Sequence, residues 1–223
     1  MKGDVVGLPS IPGYRLPQQE LPEPRVAWKA DARRSVLLIH DMQRYFIDAF
    51  AQDDEQSQIR VALRNISALR EMADKVGIPV VYTAQPPNQT SADRALLTDF
   101  WGEGLSDDGR EEVIEELAPR PEDLVLTKWR YSAFARTNLQ EWMREAGRDQ
   151  LLITGVYAHI GCLTTALDAF MRDIQPFFVA DAQADFSLEE HQMAINYGYG
   201  RCACVATSAS IMDQIHSQLA VAR

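Results

Sequence analysis

The chain lacks most of what marks a membrane, nucleic-acid-binding or disulfide-stapled protein. No apolar run approaches the roughly 20 residues that a membrane-spanning helix needs, and the opening stretch MKGDVVGLPSIPGYRLP has no continuous apolar core of the signal-peptide kind. Cytoplasm is therefore the expected compartment. Basic residues are outnumbered, with 22 Lys and Arg against 32 Asp and Glu and a formal net charge of -10. Binding to a phosphate backbone needs a concentrated Lys/Arg surface, so no nucleic acid is expected as partner. The three cysteines, Cys162, Cys202 and Cys204, are an odd number in an ordinary-sized chain and predict no disulfide framework. Cys202 and Cys204 stand too close for a zinc knuckle and read as small core residues on a short strand. There is no G-x-S-x-G elbow, no Walker-type glycine-rich loop and no G-x-G-x-x-G after the first apolar run. Serine hydrolysis, phosphoryl transfer and hydride transfer all lose ground. His40 and Asp41 form a single adjacent pair among scattered acids, so neither metal nor cofactor is expected.

What is present is a globular composition, 223 residues with 46% hydrophobic and 24% charged, enough for one sizeable core. Residues 1–30 hold five of the eleven prolines and little periodicity. They read as an extended arm lying on a single domain formed by residues 31–223. Beyond the arm, short apolar runs alternate with amphipathic stretches. Strands are predicted at 36–39, 78–83, 124–127, 151–156 and 177–180, with a weak sixth at 202–207. Residues 57–76 place Ile59, Leu63, Ile66, Ala73 and Val76 at three- and four-residue spacing, a helix with one apolar face. Thr137 to Gln140 and Ser187 to Glu190 read as capping boxes, opening helices that run to about 147, where Gly147 suits the end, and to about 199. Further helices are predicted at 162–173 and 208–219, and loops with short helices across 85–121. Six strands alternating with helices predict a doubly wound α/β fold, a mostly parallel six-stranded sheet with helices on both faces.

In such a sheet, ligands sit beyond the carboxyl ends of the strands. That points to His40, Asp41 and Gln43, then Gln85, then Lys128 to Arg130, then Tyr157 to His159, then Asp181. Asp41 follows an all-apolar strand and should be partly desolvated, which either raises its pKa or requires a cation to hold it. Capping of the next turn explains it equally well. Lys128 follows its strand in the same way, and Trp129, Tyr131 and Phe134 beside it suit a pocket for a planar anion as well as they suit a solvated loop. The segment from Gly155 to Cys162 ends a strand and opens a helix, so its free backbone N–H groups are expected to face the crevice. Cys162 is a nucleophile candidate and equally a small apolar residue in a buried helix.

The blocks LLIHDMQRYF (37–46), YTAQP (82–86), DRALLTDFWGEGL (93–105), TKWRYSAF (127–134) and ITGVYAHIGCLTTALDAFMRDIQPFFVADAQADFS (153–187) resemble the isochorismatase family. The resemblance runs in order from about residue 10 to about residue 212. It implies hydrolysis of the vinyl ether of isochorismate, as in catecholate siderophore pathways, or of 2-amino-2-deoxyisochorismate, as in phenazine pathways, by a homodimer. It makes Asp41 the catalytic acid and Lys128 its neighbour. Gln85 and Arg94 would hold the substrate's carboxylates or ring hydroxyl, and Tyr157 and the Gly161 backbone would supply the remaining polar contacts. Tyr45, Phe46, Trp101 and Tyr131 would form an aromatic wall, and the peptide before Tyr157 would be cis. The wider superfamily includes cysteine amidases with their nucleophile six residues after the glycine that stands here as Gly155. That position is Gly161, and Cys162 comes one residue late, about 100° further round a helix.

The resulting expectation is protonation of the vinyl carbon by Asp41, with burial raising its pKa and the anionic substrate offsetting the opposing effect of Lys128, and with no covalent intermediate. Two rival readings are a Cys162-dependent amidase and a non-catalytic member that keeps the fold for partner docking. Siderophore-pathway members often continue into an aryl carrier domain; the chain ends at Arg223, as a stand-alone hydrolase or part of a longer protein.

Overall fold

A computed structural model describes residues 8–17, 21, 23–51 and 53–221. Its six strands are β1 (Ser35–His40), β2 (Val80–Ala84), β3 (Leu124–Thr127), β4 (Gln150–Val156), β5 (Gln175–Ala184) and β6 (Cys204–Ala206). They form one sheet in the order β3-β2-β1-β4-β5-β6, parallel at every pairing. Every residue of β1 and β4 is buried, which explains why both read as apolar runs without alternation. Successive side chains still point to opposite faces. Leu37 and Ile39 join a core beneath α2 (Gln58–Val76) and α8 (Ser208–Val221), while Val36 and Leu38 join a second core. The second core lies beneath α5 (Leu139–Glu145), α6 (Leu163–Met171) and α7 (Leu188–Arg201). Helices thus cover both faces, and each buried Leu or Ile contributes about 1.5–3 kcal/mol.

The amphipathic spacing on α2 is realised with Ile59, Leu63, Ile66 and Ala73 buried, and Gly77 ends the helix at φ 73° with its N–H on the Ala73 carbonyl. Ser187 caps α7 as the box motif predicts, its hydroxyl accepting from Glu190 N–H. The first box does not form. Thr137 Oγ1 donates to the Ala133 carbonyl and accepts from Leu139 N–H, while Gln140 turns to Arg172. The local motif loses there to a tertiary partner. The stretch 85–121 holds α3 (Ser91–Arg94), α4 (Leu97–Trp101) and a 3-10 turn at Glu115–Leu117, after the short α1 (Arg44–Ile47) earlier in the chain. A π-helical turn, Ala158–Cys162, precedes α6.

β5 outruns its prediction by four residues at its carboxyl end, and this corrects the place given to Asp181. It lies inside the strand, where its carboxylate accepts from the N–H (2.7 Å) and hydroxyl (2.9 Å) of Ser208 at the start of α8. The acid at the strand's end is Asp185. Of the proposed arm, residues 8–17 and 23–30 carry no helix or strand, and Ile11 bridges to Phe50. Met1 to Gly7 lie outside the described residues. No helix among the described residues is long and apolar enough to cross a membrane.

Chain order reverses between β1 and β4, the topological switch point at which such sheets open a crevice. Asp41 and Tyr157 are the first residues beyond those two strands.

Candidate active site

All ten residues to which the family resemblance gives a role line one cavity at this switch point. Asp41 and Lys128 form its polar floor, both buried. Lys128 Nζ donates to Asp41 Oδ2 at 2.5 Å, and Thr83 Oγ1 donates to Oδ1 at 2.6 Å. Asp41 N–H returns a bond to Thr83 Oγ1 at 3.1 Å, and the residue sits at φ 52°. Burial pushes the Asp41 pKa up, but the opposing pull of the Lys128 cation and the Thr83 hydroxyl prevails and leaves it below the usual carboxylate range. Burial does raise the pKa as expected, but in the free site it is outweighed. The resting site holds an ion pair, and a proton reaches Asp41 only when something offsets Lys128.

Arg94 enters the cavity from the end of α3, with its guanidinium buried. Nε donates to the Gly102 carbonyl at 2.5 Å and Nη2 to the Trp101 carbonyl at 3.4 Å, while Nη1 has no hydrogen-bond partner among the described residues. Gly104, at φ 85°, leaves it room, because a Cβ there would lie 2.4 Å from Nη1. A buried cationic donor left unpaired is costly, and an anion answers it.

Gln85 lines the cavity and is held through its backbone: Gln43 Oε1 accepts from its N–H at 2.7 Å, and Gln43 Nε2 donates to its carbonyl at 2.9 Å. Tyr45 and Phe46 pack edge to face, and Trp101 Nε1 donates to Tyr131 Oη at 2.8 Å, so these aromatics support one another. Tyr157, after the cis peptide that joins it to Val156, packs its ring at a tilt against Phe186 and gives its hydroxyl proton to the Phe46 carbonyl at 3.1 Å. Its ring is a wall, and its hydroxyl oxygen can only accept. Gly161 borders the same space. Apolar residues complete the lining, Leu8 from the arm and Phe186 after β5 among them.

One expectation fails, and two alternatives left open are decided. The N–H groups of Ile160 and Cys162 donate to the Tyr157 carbonyl and that of His159 to Asp185, so they do not face the crevice. Cys162 is fully buried outside the cavity, and burial drives its thiol pKa well up, which opposes thiolate formation. Of the aromatics beside Lys128, Phe134 packs into the core and Trp129 borders a separate surface hollow; only Tyr131 enters the cavity.

Thr83 and Asp185 escaped the sequence reading, although polar residues within or directly after buried strands are a usable signal; Gln43 was marked by its place after β1, but not its clamp on Gln85. Asp185 fixes the turn that carries Gly161, accepting from His159 N–H and Nδ1, both at 2.6 Å, and from Phe186 N–H. His159, Asp185 and Glu190 are the one cation-compatible group among the described residues. The Asp185 oxygens there are already committed to three N–H donors, so the group fits a structural clasp better than a metal.

The isochorismatase domain profile matches residues 35–210. An isochorismatase of Bacillus subtilis (strain 168) is 56% identical over 214 residues, covering 95% of this chain and 68% of that protein. The chain belongs to the isochorismatase family. The phenazine biosynthesis protein PhzD1 of Pseudomonas aeruginosa (strain PAO1) is 48% identical, covering 93% of this chain and 99% of its own. Among solved structures, a cysteine hydrolase from Pseudomonas syringae pv. phaseolicola superposes with a TM-score of 0.77 at 22% identity, covering 89% of this chain and 99% of that one. That likeness speaks for the shared fold alone.

Proposed function

We propose that this family member hydrolyses the vinyl ether of isochorismate to pyruvate and 2,3-dihydro-2,3-dihydroxybenzoate, in siderophore or related secondary metabolism. The observation that carries the reading is the buried Asp41–Lys128 pair sharing an aromatic cavity with the unpaired Nη1 of Arg94. A dianionic substrate entering this space gives Arg94 its missing acceptor. It offers Lys128 a second anion and places negative charge beside Asp41, which raises the Asp41 pKa in the complex. The now protonated carboxyl delivers its proton to the terminal methylene carbon. The oxocarbenium ion that forms lies against the Asp41 carboxylate, water adds to it, and the hemiketal breaks down to pyruvate and the ring diol. No side chain forms a covalent bond to the substrate, in keeping with a Cys162 held outside the cavity as a thiol. The same reading places the enzyme in the cytoplasm as a homodimer.

The 48% identity to the phenazine protein over nearly that protein's whole length supports a second reading, the same hydrolysis of 2-amino-2-deoxyisochorismate. Pyruvate release coupled to lactate dehydrogenase, run on each substrate, separates the two. Isochorismate is expected to turn over faster; a faster amino substrate selects the second reading, and no pyruvate from either removes both.

Thr83 supplies an independent check. Thr83→Val removes the hydroxyl donor to Asp41 Oδ1, which favours the carboxylate, so the Asp41 pKa rises in the complex. The acid must be protonated to act, so the pH above which kcat falls is expected to move upward, with Thr83→Ser restoring the wild-type profile. An unmoved alkaline limb in Thr83→Val removes Asp41 as the titrating acid.

A further inference from the structure

His40, the last residue of β1, is completely buried beside Asp41 and is enclosed by two glycines from the segment after β4. At Gly155, φ 104°, an added Cβ would lie 2.1 Å from the His40 carbonyl oxygen, so the two strands meet there backbone to backbone. At Gly161 an added Cβ would lie 2.1 Å from Cε1 of the imidazole, 2.8 Å from Nε2 and 3.0 Å from Nδ1. The ring cannot swing away as the end of a flexible chain would. Nδ1 donates to the Val156 carbonyl at 2.8 Å, and Nε2 lies 3.3 Å from the Tyr131 carbonyl. The imidazole therefore stands on the bare Cα of Gly161 and spans the two loops that deliver Tyr157 and Tyr131 to the cavity.

We propose that His40 and Gly161 form one specificity-determining unit, in which the imidazole fills the volume a side chain at 161 would need and so bars a nucleophile from that position. The bar stands at two positions rather than one. A cysteine at 161 meets the ring, and only loss of the ring makes room for it. His40 acts by placement and not as a proton carrier, since burial first and the Lys128 cation second push its pKa down to about 4 and keep it neutral. The functional half of this inference rests on the non-covalent reading above; the steric half does not.

A cycle built from Gly161→Ala, Gly161→Cys, His40→Ala and the two double variants tests it, read first by thermal unfolding without substrate. Gly161→Ala in the wild-type background is expected to lower the melting temperature by about 5 °C or more, the scale of a core overpacking defect in a chain of this size. In the His40→Ala background the same substitution is expected to cost less than about 2 °C or to stabilise. Equal costs in the two backgrounds overturn the proposal. The second readout is the cysteine arm. Gly161→Cys is expected to lower the melting temperature at least as much as Gly161→Ala in the wild-type background, and in the His40→Ala background to cost less than about 2 °C. A cysteine that costs as much in both backgrounds also overturns the proposal, and if Gly161→Cys alone fails to fold, the alanine arm and the double variant still decide. Neither measurement uses substrate, so a failed pyruvate assay would leave the steric unit standing, and an additive cycle would leave the reaction standing.

Discussion

Replacing Asp41 by asparagine is expected to lower kcat for pyruvate release by about a thousandfold, within the 10²–10⁴ range of a lost general acid. KM should change little. Asparagine keeps the size of the side chain, but its one oxygen can accept from only one of Thr83 and Lys128, which bond to different oxygens of Asp41. It also has no acidic proton to give to the vinyl carbon and no charge to set against the oxocarbenium ion. The substitution also leaves the Lys128 ammonium, buried and 2.5 Å from the lost carboxylate, without its counter-charge. Removing one partner of such a pair costs about 3–5 kcal/mol of stability, so the assay belongs at a temperature where circular dichroism shows the variant folded. A bound dianion compensates Lys128, and saturating substrate should raise the variant's melting temperature more than the wild type's. Folded Asp41→Asn with near-normal turnover would sink the mechanism, whichever ring substituent the substrate carries.

The elements of the fold were legible because their signals are local. Buried parallel strands read as apolar runs, and the three-and-four spacing on α2 appears as written. The rule that ligands gather beyond the strand ends then brought together Asp41, Gln85, Lys128 and Tyr157 from four separate strands. Arg94 and Trp101 lie outside any such rule, on short helices of an irregular stretch, and only the family resemblance pointed to them. The Thr83 bond to Asp41, the clamp of Gln43 on Gln85 and the enclosure of His40 were not legible, since each depends on contacts between residues about 40 to 120 positions apart that no spacing encodes. The Asp41 charge state in the free site was not legible for a related reason. Burial and cation pull in opposite directions, and the winner depends on a 2.5 Å contact and a threonine hydroxyl rather than on residue type.

The buried histidines tie the same architecture to pH. The pKa values of His40 and His191 are each pushed down from 6.5 to about 4, chiefly by burial. Protonating His191 sets its Nδ1 hydrogen against the Tyr14 hydroxyl 2.8 Å away, whose oxygen already accepts from Asp185 N–H. Between pH 6.5 and 4 the unfolded chain binds protons at both positions and the folded chain does not, so stability falls as pH falls. At pH 5 the loss is on the order of 2 kcal/mol per histidine, about 4 kcal/mol for the pair. Other groups do not cancel it across that window. His159 is pulled down by burial but raised further by Asp185 and Glu190, so its contribution is complete below 6.5 and is lost only as pH climbs through its raised value. Asp41, lowered, loses its contribution only as pH drops below the ordinary carboxylate value. Asp181, raised by burial, works against the histidines at the acid end. The urea midpoint should therefore fall clearly from pH 7 to pH 5, and His191→Asn should flatten that slope by about half even where it lowers the midpoint itself. A midpoint constant from pH 7 to 5 would mean that the two imidazoles are not held neutral, and with that the account of His40 as an uncharged spacer beside Asp41 would fall.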